Sequence, residues 1–190
     1  KPKLLVKVGE TLKKGEAVFN DKNNPNILFT SQNAGIIEDI CFGERRRIES
    51  ITIRIDEDGE EISFDQYTLG KISELDSTIA TDILCKSGLW PTLRRRPFSK
   101  IAIPESPPKA IFISTMSTAP FAADLEVVLD KIPQDNIQAG INVLQLLTNG
   151  SVNLVTPKQI VNAKLTELQN VQQHTYSGPH PAGNVGIHVS

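Results

Sequence analysis

The sequence predicts an α+β protein in which a small β domain precedes an α/β domain. Residues 3–55 divide into short alternating apolar and polar segments separated by glycine-bearing turns, which is typical of a small sandwich or barrel. After residue 108, candidate strands alternate with amphipathic helix segments, which indicates a parallel sheet with crossover helices. We therefore expect a β domain at 1–64, a helical connector at 65–108 and an α/β domain at 109–190.

The composition excludes several classes of protein. The 190 residues are 39% hydrophobic and 22% charged, as in ordinary globular domains, and no apolar run is long enough to span a bilayer. Because no apolar run is that long, we expect no membrane span. The net charge of −2 indicates no basic surface for nucleic acid, so we expect no nucleic-acid partner. Cys41 and Cys85 lie far apart and outside any C-x-x-C pair, which predicts two reduced thiols and no metal site.

The β domain contains five candidate strands. Their apolar positions recur with a period of two, most clearly in the last of them, and glycine-bearing turns separate several of them. The segment 56–61 is acidic and holds one glycine, which predicts a solvated turn followed by a return strand at 62–64. The five candidate strands are residues 4–8, 17–19, 27–30, 36–40 and 50–55.

The connector begins with a helix and continues into a block of mixed character. Apolar residues spaced as on one helical face predict a helix over 73–87, capped by Ser73 and ended by Gly88. Residues 87–100 then read S-G-L-W-P-T-L-R-R-R-P-F-S-K, a pattern that helix or strand periodicity does not explain. This block is therefore a candidate functional segment.

The α/β domain is predicted from three strands and two helices that alternate along the chain. Asp135 is a candidate cap for the first helix, and Pro157 is placed to open the second, which carries Ile160. The order strand, helix, strand, helix, strand predicts a parallel sheet wound in the Rossmann manner. The three candidate strands are residues 110–114, 151–155 and 171–176.

Both ends of the chain indicate a fragment. It begins at Lys1 without an initiating methionine, and it stops at Ser190 directly after an apolar–polar alternation that predicts a strand. We therefore expect the α/β domain to be truncated.

Two motifs in the β domain resemble the barrel-sandwich hybrid fold of biotinyl and lipoyl domains. Residues 6–16 read V-K-V-G-E-T-L-K-K-G-E, and residues 33–37 supply the return as N-A-G-I-I. The resemblance implies that a carrier would bear its modified lysine on a hairpin turn, at the position of Lys22. The N-N-P-N segment after Lys22 predicts a longer, proline-stiffened loop, which favours an unmodified surface lysine.

The central block and the closing motif resemble one family in particular. Residues 87–100, the S-G-P-H-P-A-G motif of residues 177–183 and the first 55 residues are similar to the A subunits of the Na+-translocating NADH:quinone reductases, which are related to the C subunit of the Rnf complex. The resemblance implies a peripheral subunit on the cytoplasmic face of the bacterial inner membrane, with membrane subunits as partners. It also implies a complex that oxidises NADH, reduces ubiquinone and exports Na+ by using flavins and iron–sulfur centres.

The sequence predicts a structural role for this chain within such a complex. No Walker A or G-x-G-x-x-G motif occurs, and the segment after the strand at 110–114 has no glycine to let a phosphate approach the backbone. Where the related flavin proteins carry a glycine-rich loop, this chain has Gly88 followed by bulky residues. We expect no flavin, nucleotide or metal here, and we keep two alternatives: a carrier domain modified on Lys22, or a flavin- or nucleotide-binding redox domain.

Five residues are candidate contacts with a partner or with the quinone. Trp90, Arg94, Arg96 and Phe98 combine guanidinium groups with aromatic faces, which suits an anion, a quinone ring or a protein interface. His180 lies between two prolines and is rigidly held, which suits a contact or a proton-handling role. The alternative for each is a purely structural contact.

Overall fold

The structure is a computed structural model that describes residues 2–158 and 162–189. The chain forms two compact units. The first comprises Lys1–Gln66 and Thr81–Ile103, and the second comprises Tyr67–Ala80 and Pro104–Ser190.

The first unit is built around two antiparallel sheets of three strands each. One sheet has the order β1-β3-β4 and the other has the order β2-β5-β6. Val6, Leu12, Val18 and Ile37 form a buried cluster to which both sheets contribute, so the predicted small β sandwich is confirmed. The strands are β1 Pro2–Leu4, β2 Thr11–Leu12, β3 Ala17–Asp21, β4 Asn24–Thr30, β5 Gly35–Phe42 and β6 Ile48–Ile55, followed later in the chain by the pair β7 Arg94–Arg95 and β8 Lys100–Ile101.

Two strand predictions in this unit are wrong. β1 ends at Leu4 and does not cover 4–8, because the backbone N–H of Lys7 donates to the Glu10 carboxylate and the chain turns. The acidic turn forms after β6, but 62–64 is not a strand. Instead, Lys14 N donates to the Glu60 carbonyl and the backbone of Ile62 donates to the Lys14 carbonyl, each at 2.9 Å.

The predicted connector helix is two helices. α1 spans Leu69–Ile72 and α2 spans Ser77–Lys86, so Ser73 follows α1 and does not cap α2. Asp76 takes that role, because its carboxylate accepts a hydrogen bond from the Thr78 backbone N–H at 2.7 Å. Gly88 ends this region as predicted, with a φ of +77° that favours glycine.

The second unit contains a three-stranded parallel sheet. β9 (Ala110–Ser114), β10 (Ser151–Pro157) and β11 (Gln172–Tyr176) lie in the order β11-β10-β9, which confirms the predicted parallel α/β arrangement. Leu129, Ile141, Leu154, Leu165 and Leu168 form its buried core. The helices are α3 Leu125–Asp130, α4 Gln134–Leu146, α5 Ala163–Thr166 and α6 Val185–Val189.

Several helix boundaries in this unit differ from the prediction. Pro133 occupies the N-cap of α4, and Asp135 lies within its first turn. Pro157 ends β10, where it pairs with Tyr176, and α5 begins later, after Asn162. The predicted helix position Ile160 lies outside the described residues.

The chain end also differs from the prediction. The alternating segment before Ser190 forms α6 and not a strand, because its backbone N–H groups turn back to Asn184, which accepts from Ile187 at 2.9 Å. His188 of α6 is buried.

The cap of α2 can be tested by replacing Asp76 and Ser73 separately with alanine. Hydrogen bonds from the Thr78 hydroxyl and backbone lower the pKa of Asp76. A carboxylate with a lowered folded-state pKa stabilises the fold above its unfolded-state pKa, and this contribution is lost as the pH falls through the folded-state value. We expect Asp76→Ala to reduce hydrogen-exchange protection of α2 at neutral pH, and less so in acid. Ser73→Ala should leave that protection unchanged, and an equal loss in both variants would contradict this assignment.

Candidate functional site

The central block forms an anchored hairpin in the first unit. Trp90 lies in a 3-10 helix, Trp90–Thr92, and its side chain is only 4% exposed. Its indole N–H donates to the Ala102 carbonyl at 2.9 Å, just beyond the second strand of the hairpin. Trp90 therefore fixes the base of the hairpin and offers little surface to a partner.

The hairpin consists of the two short antiparallel strands β7 and β8. Arg94 and Arg96 are exposed, and Phe98 at the tip is 79% exposed. The structure thus places three of the predicted contact residues on one exposed hairpin, whose base is anchored by the buried Trp90.

The positive charge of the hairpin is not neutralised by the described parts of the chain. Arg95 lies directly opposite Lys100 in the strand pairing, and like charges in that position repel. Among the described residues, no carboxylate lies within 4.0 Å of the cations of Arg94, Arg95, Arg96 or Lys100. The Lys100 ammonium instead lies 6.0 Å from the centre of the Phe98 ring.

The backbone before the hairpin is closed by protein contacts. A Cβ added at Gly88 would lie 2.4 Å from the Thr30 hydroxyl oxygen. That hydroxyl donates to the Ser87 carbonyl at 3.2 Å. The Thr30 side chain therefore lies against Gly88, the one glycine of the block.

The second unit has a cleft at the carboxyl ends of its parallel strands. Its volume is about 840 Å³, and it is lined by the strand ends Ser114, Pro157 and Tyr176 and by the loop after β9. Open α/β sheets place their ligand crevices at this edge. Lys158 and Ser177 also line it, so it contains both a cation and hydroxyl groups.

Two loops are clasped together beside this cleft. The Thr118 hydroxyl accepts a hydrogen bond from Gly183 N at 3.0 Å and lies 3.3 Å from Nδ1 of His180. A Cβ added at Gly183 would lie 2.4 Å from Thr118 N, so only glycine allows this approach. His180 therefore has a hydroxyl partner, and it lies in the second unit, whereas the other four candidate residues lie in the first.

His188 supports the same loop from within the unit. Its Nε2 lies 2.8 Å from the Ala182 carbonyl oxygen, so Nε2 carries the hydrogen and donates. The centre of the ring lies 4.8 Å from that of Tyr176, and Nδ1 is buried without a hydrogen-bond partner among the described residues. The motif at 177–183 is thereby held on both sides.

Lys22 lies in a tighter turn than the sequence predicts. β3 ends at Asp21 and β4 begins at Asn24, so only two residues connect the strands. The Asp21 carboxylate accepts from Asn23 N at 3.0 Å, which stabilises the turn. The prediction of a longer loop after Lys22 is therefore wrong. Lys22 is exposed in the two-residue turn of a hairpin.

Other side chains that could carry chemistry are dispersed over the described residues. In residues 2–158 and 162–189, no three His, Cys, Asp or Glu side chains converge as a metal site. No helix in these ranges is both long and apolar enough to cross a membrane. The Asp39 carboxylate accepts a hydrogen bond from the Cys41 thiol at 3.3 Å, and this hydrogen bond raises the pKa of Cys41.

The two units define a class of protein in which a barrel-sandwich hybrid domain precedes an α/β domain. Residues 1–56 match the family described as the NqrA N-terminal barrel-sandwich hybrid domain, and residues 75–190 match the NqrA second alpha/beta domain. The chain therefore belongs to the NqrA family, which the sequence resemblance predicted.

Curated relatives carry one common name. The chain is 41% identical over 189 residues to the A subunit of the Na(+)-translocating NADH-quinone reductase of Yersinia pseudotuberculosis. It is 39% identical to that of Haemophilus influenzae and 36% identical to that of Vibrio parahaemolyticus, each over 189 residues. In each case the match covers 100% of this chain and 42% of the relative, so the chain spans less than half of their length.

Several residues near the cleft were missed by sequence reasoning. Thr118, Lys158, Tyr176 and His188 belong to segments whose local patterns carry no site signature. The one available signal was the S-G-P-H-P-A-G motif, which predicted a shaped loop without identifying its partner. That partner, Thr118, lies 62 residues before His180 in the sequence.

The clasp can be tested with Gly183→Ala. The added Cβ would force Thr118 or the loop backbone to move, so we expect a loss of about 1–3 kcal/mol in the free energy of unfolding. Hydrogen exchange should also speed up around Thr118. The matched control is Gly140→Ala in α4, where a Cβ meets no atom of the described residues within 4 Å and alanine should stabilise by about 0.5–1 kcal/mol. Unchanged stability and exchange in Gly183→Ala would exclude the clasp.

Proposed function

We propose that this chain acts in the A subunit of a Na+-translocating NADH:quinone reductase. The observation that carries this proposal is the similarity to such A subunits along the whole of this chain, which extends through both structural units. In this proposal the complex oxidises NADH, reduces ubiquinone and exports Na+, and its flavins, iron–sulfur centres and ubiquinone belong to the complex as a whole. We also propose that the chain is organised as a β domain at 1–64, a connector at 65–108 and an α/β domain at 109–190.

The role that we propose for the chain is scaffolding on the quinone side of the complex. Its distinctive motifs serve its own architecture: Thr118 joins two loops, Thr30 lies against Gly88, and Trp90 anchors the hairpin. Such contacts give a rigid surface that can shape the approach of quinone without transferring electrons. The chain would lie at the cytoplasmic face of the bacterial inner membrane and dock onto membrane subunits, with the exposed hairpin on the membrane side.

A second candidate function is a carrier domain modified on Lys22. The exposed position of Lys22 in a two-residue hairpin turn favours it, because a swinging arm needs such exposure. A third is a flavin- or nucleotide-binding redox domain, for which the cleft at the edge of the parallel sheet provides a location.

Intact mass and visible absorption of the protein purified from its host distinguish these functions. The scaffolding role predicts the unmodified mass and no flavin absorption. A lipoyl or biotinyl mass increase that disappears in Lys22→Arg would establish the carrier function. A near-stoichiometric flavin spectrum would establish the redox alternative.

Assembly can be tested by replacing Arg94, Arg96 and Phe98 together with alanine in the host. Exposed arginine and aromatic side chains contribute strongly at interfaces, so co-purification with the membrane subunits should fall at least about ten-fold. The control replaces Arg45, Arg46 and Arg47, another exposed triplet of the first unit, with glutamine. Because Trp90 still anchors the base of the hairpin, the hairpin variant should keep its thermal unfolding midpoint. Normal assembly of this variant would remove the hairpin from the membrane-side contact.

A further inference from the structure

We propose that the β7–β8 hairpin binds the anionic headgroup layer of a phospholipid bilayer, with Phe98 entering the interface and the surrounding cations binding lipid phosphates. This inference rests on the proposed function, because it requires the hairpin to face a membrane. It goes further by naming anionic lipid as a contact that the hairpin makes beside the membrane subunits.

The hairpin carries a dense cluster of positive charge. Arg94, Arg95, Arg96 and Lys100 place four cations within seven residues, although the chain as a whole carries a net charge of −2. No acidic residue occurs between Lys86 and Glu105. Arg95 and Lys100 repel each other across the strands, and anions between and around these side chains reduce that repulsion and stabilise the hairpin.

The apolar and charged groups follow a definite order along the hairpin. Phe98 lies in the tip and is 79% exposed, whereas Arg94, Arg95 and Lys100 lie in the strands behind it. A bilayer interface has a matching order, with phosphates outside and acyl chains deeper. Long basic side chains can keep their charges at the phosphates while an aromatic ring lies below them.

The hairpin is preorganised for binding. Trp90 is buried and donates to the Ala102 carbonyl, and Ala102 N donates to the Leu93 carbonyl at 3.0 Å, so the base of the hairpin is fixed. The exposed tip is therefore presented without a large loss of backbone entropy on binding. Each cation near an anionic surface contributes roughly a five-fold increase in binding constant, so the cluster can support measurable binding by itself.

The test is sedimentation of the full chain with vesicles at low and high salt. Vesicles of phosphatidylcholine mixed equally with phosphatidylglycerol should bind the chain, and pure phosphatidylcholine vesicles should not. Arg94→Gln, Arg95→Gln and Arg96→Gln together should weaken binding roughly 100-fold. Phe98→Ala should weaken it roughly ten-fold, whereas Phe98→Trp should retain it, since tryptophan favours membrane interfaces.

The matched control separates a specific hairpin contact from general electrostatic attraction. Arg45→Gln, Arg46→Gln and Arg47→Gln together remove the same charge from another exposed loop of the first unit, and binding should change less than about two-fold. Equal losses in the two triple variants, or no binding of the original chain, would overturn the inference.

The outcome also distinguishes this inference from the proposed function. If the original chain fails to bind vesicles while the hairpin variants lose membrane subunits in the host, the hairpin contacts protein, and only the lipid inference fails. If the chain binds vesicles through the hairpin but does not associate with the complex, the proposed function fails and the lipid inference stands.

Discussion

The second unit depends on how its central strand is buried between two neighbours. Val152, Leu154 and Val155 of β10 are at most 1% exposed, so every polar group of this strand needs a partner inside the protein. Asn153 meets this requirement: its amide nitrogen lies 3.4 Å from the Ile111 carbonyl of β9, and its oxygen lies 2.9 Å from His174 Nε2 of β11. One buried side chain thereby contacts all three parallel strands, and the cleft lies at the edge formed by their carboxyl ends.

The first unit uses burial for a different purpose. Its sandwich core and the buried Trp90 provide a stable base, from which the β7–β8 hairpin presents cations that form no ion pairs with the described residues. Apolar burial in the core therefore offsets the repulsion among the like charges of the hairpin, which would not assemble favourably alone. This division between a stabilising base and an exposed charged projection supports a contact role for the hairpin.

The candidate residues differ in how well their sequence signals predict their surroundings in the fold. The block containing Arg94, Arg96 and Phe98 was found by its composition, and the structure shows these three side chains exposed together. Trp90 has the same sequence signal but is buried, because its indole N–H finds a carbonyl partner twelve residues later. His180 was found by its flanking prolines, whereas its partner Thr118 could not be, since no local pattern connects positions so distant in sequence.

The sequence by itself determined the two-part architecture, most strands, the end of α2 and the family. These properties depend on local alternation, on turn residues and on motifs of a few positions. The tertiary structure decided that Pro157 completes a strand and that Gly183 lies against Thr118. It decided them because hydrogen-bond partners and close backbone approaches are selected by packing between segments, and that packing has no counterpart in the periodicity of any one segment.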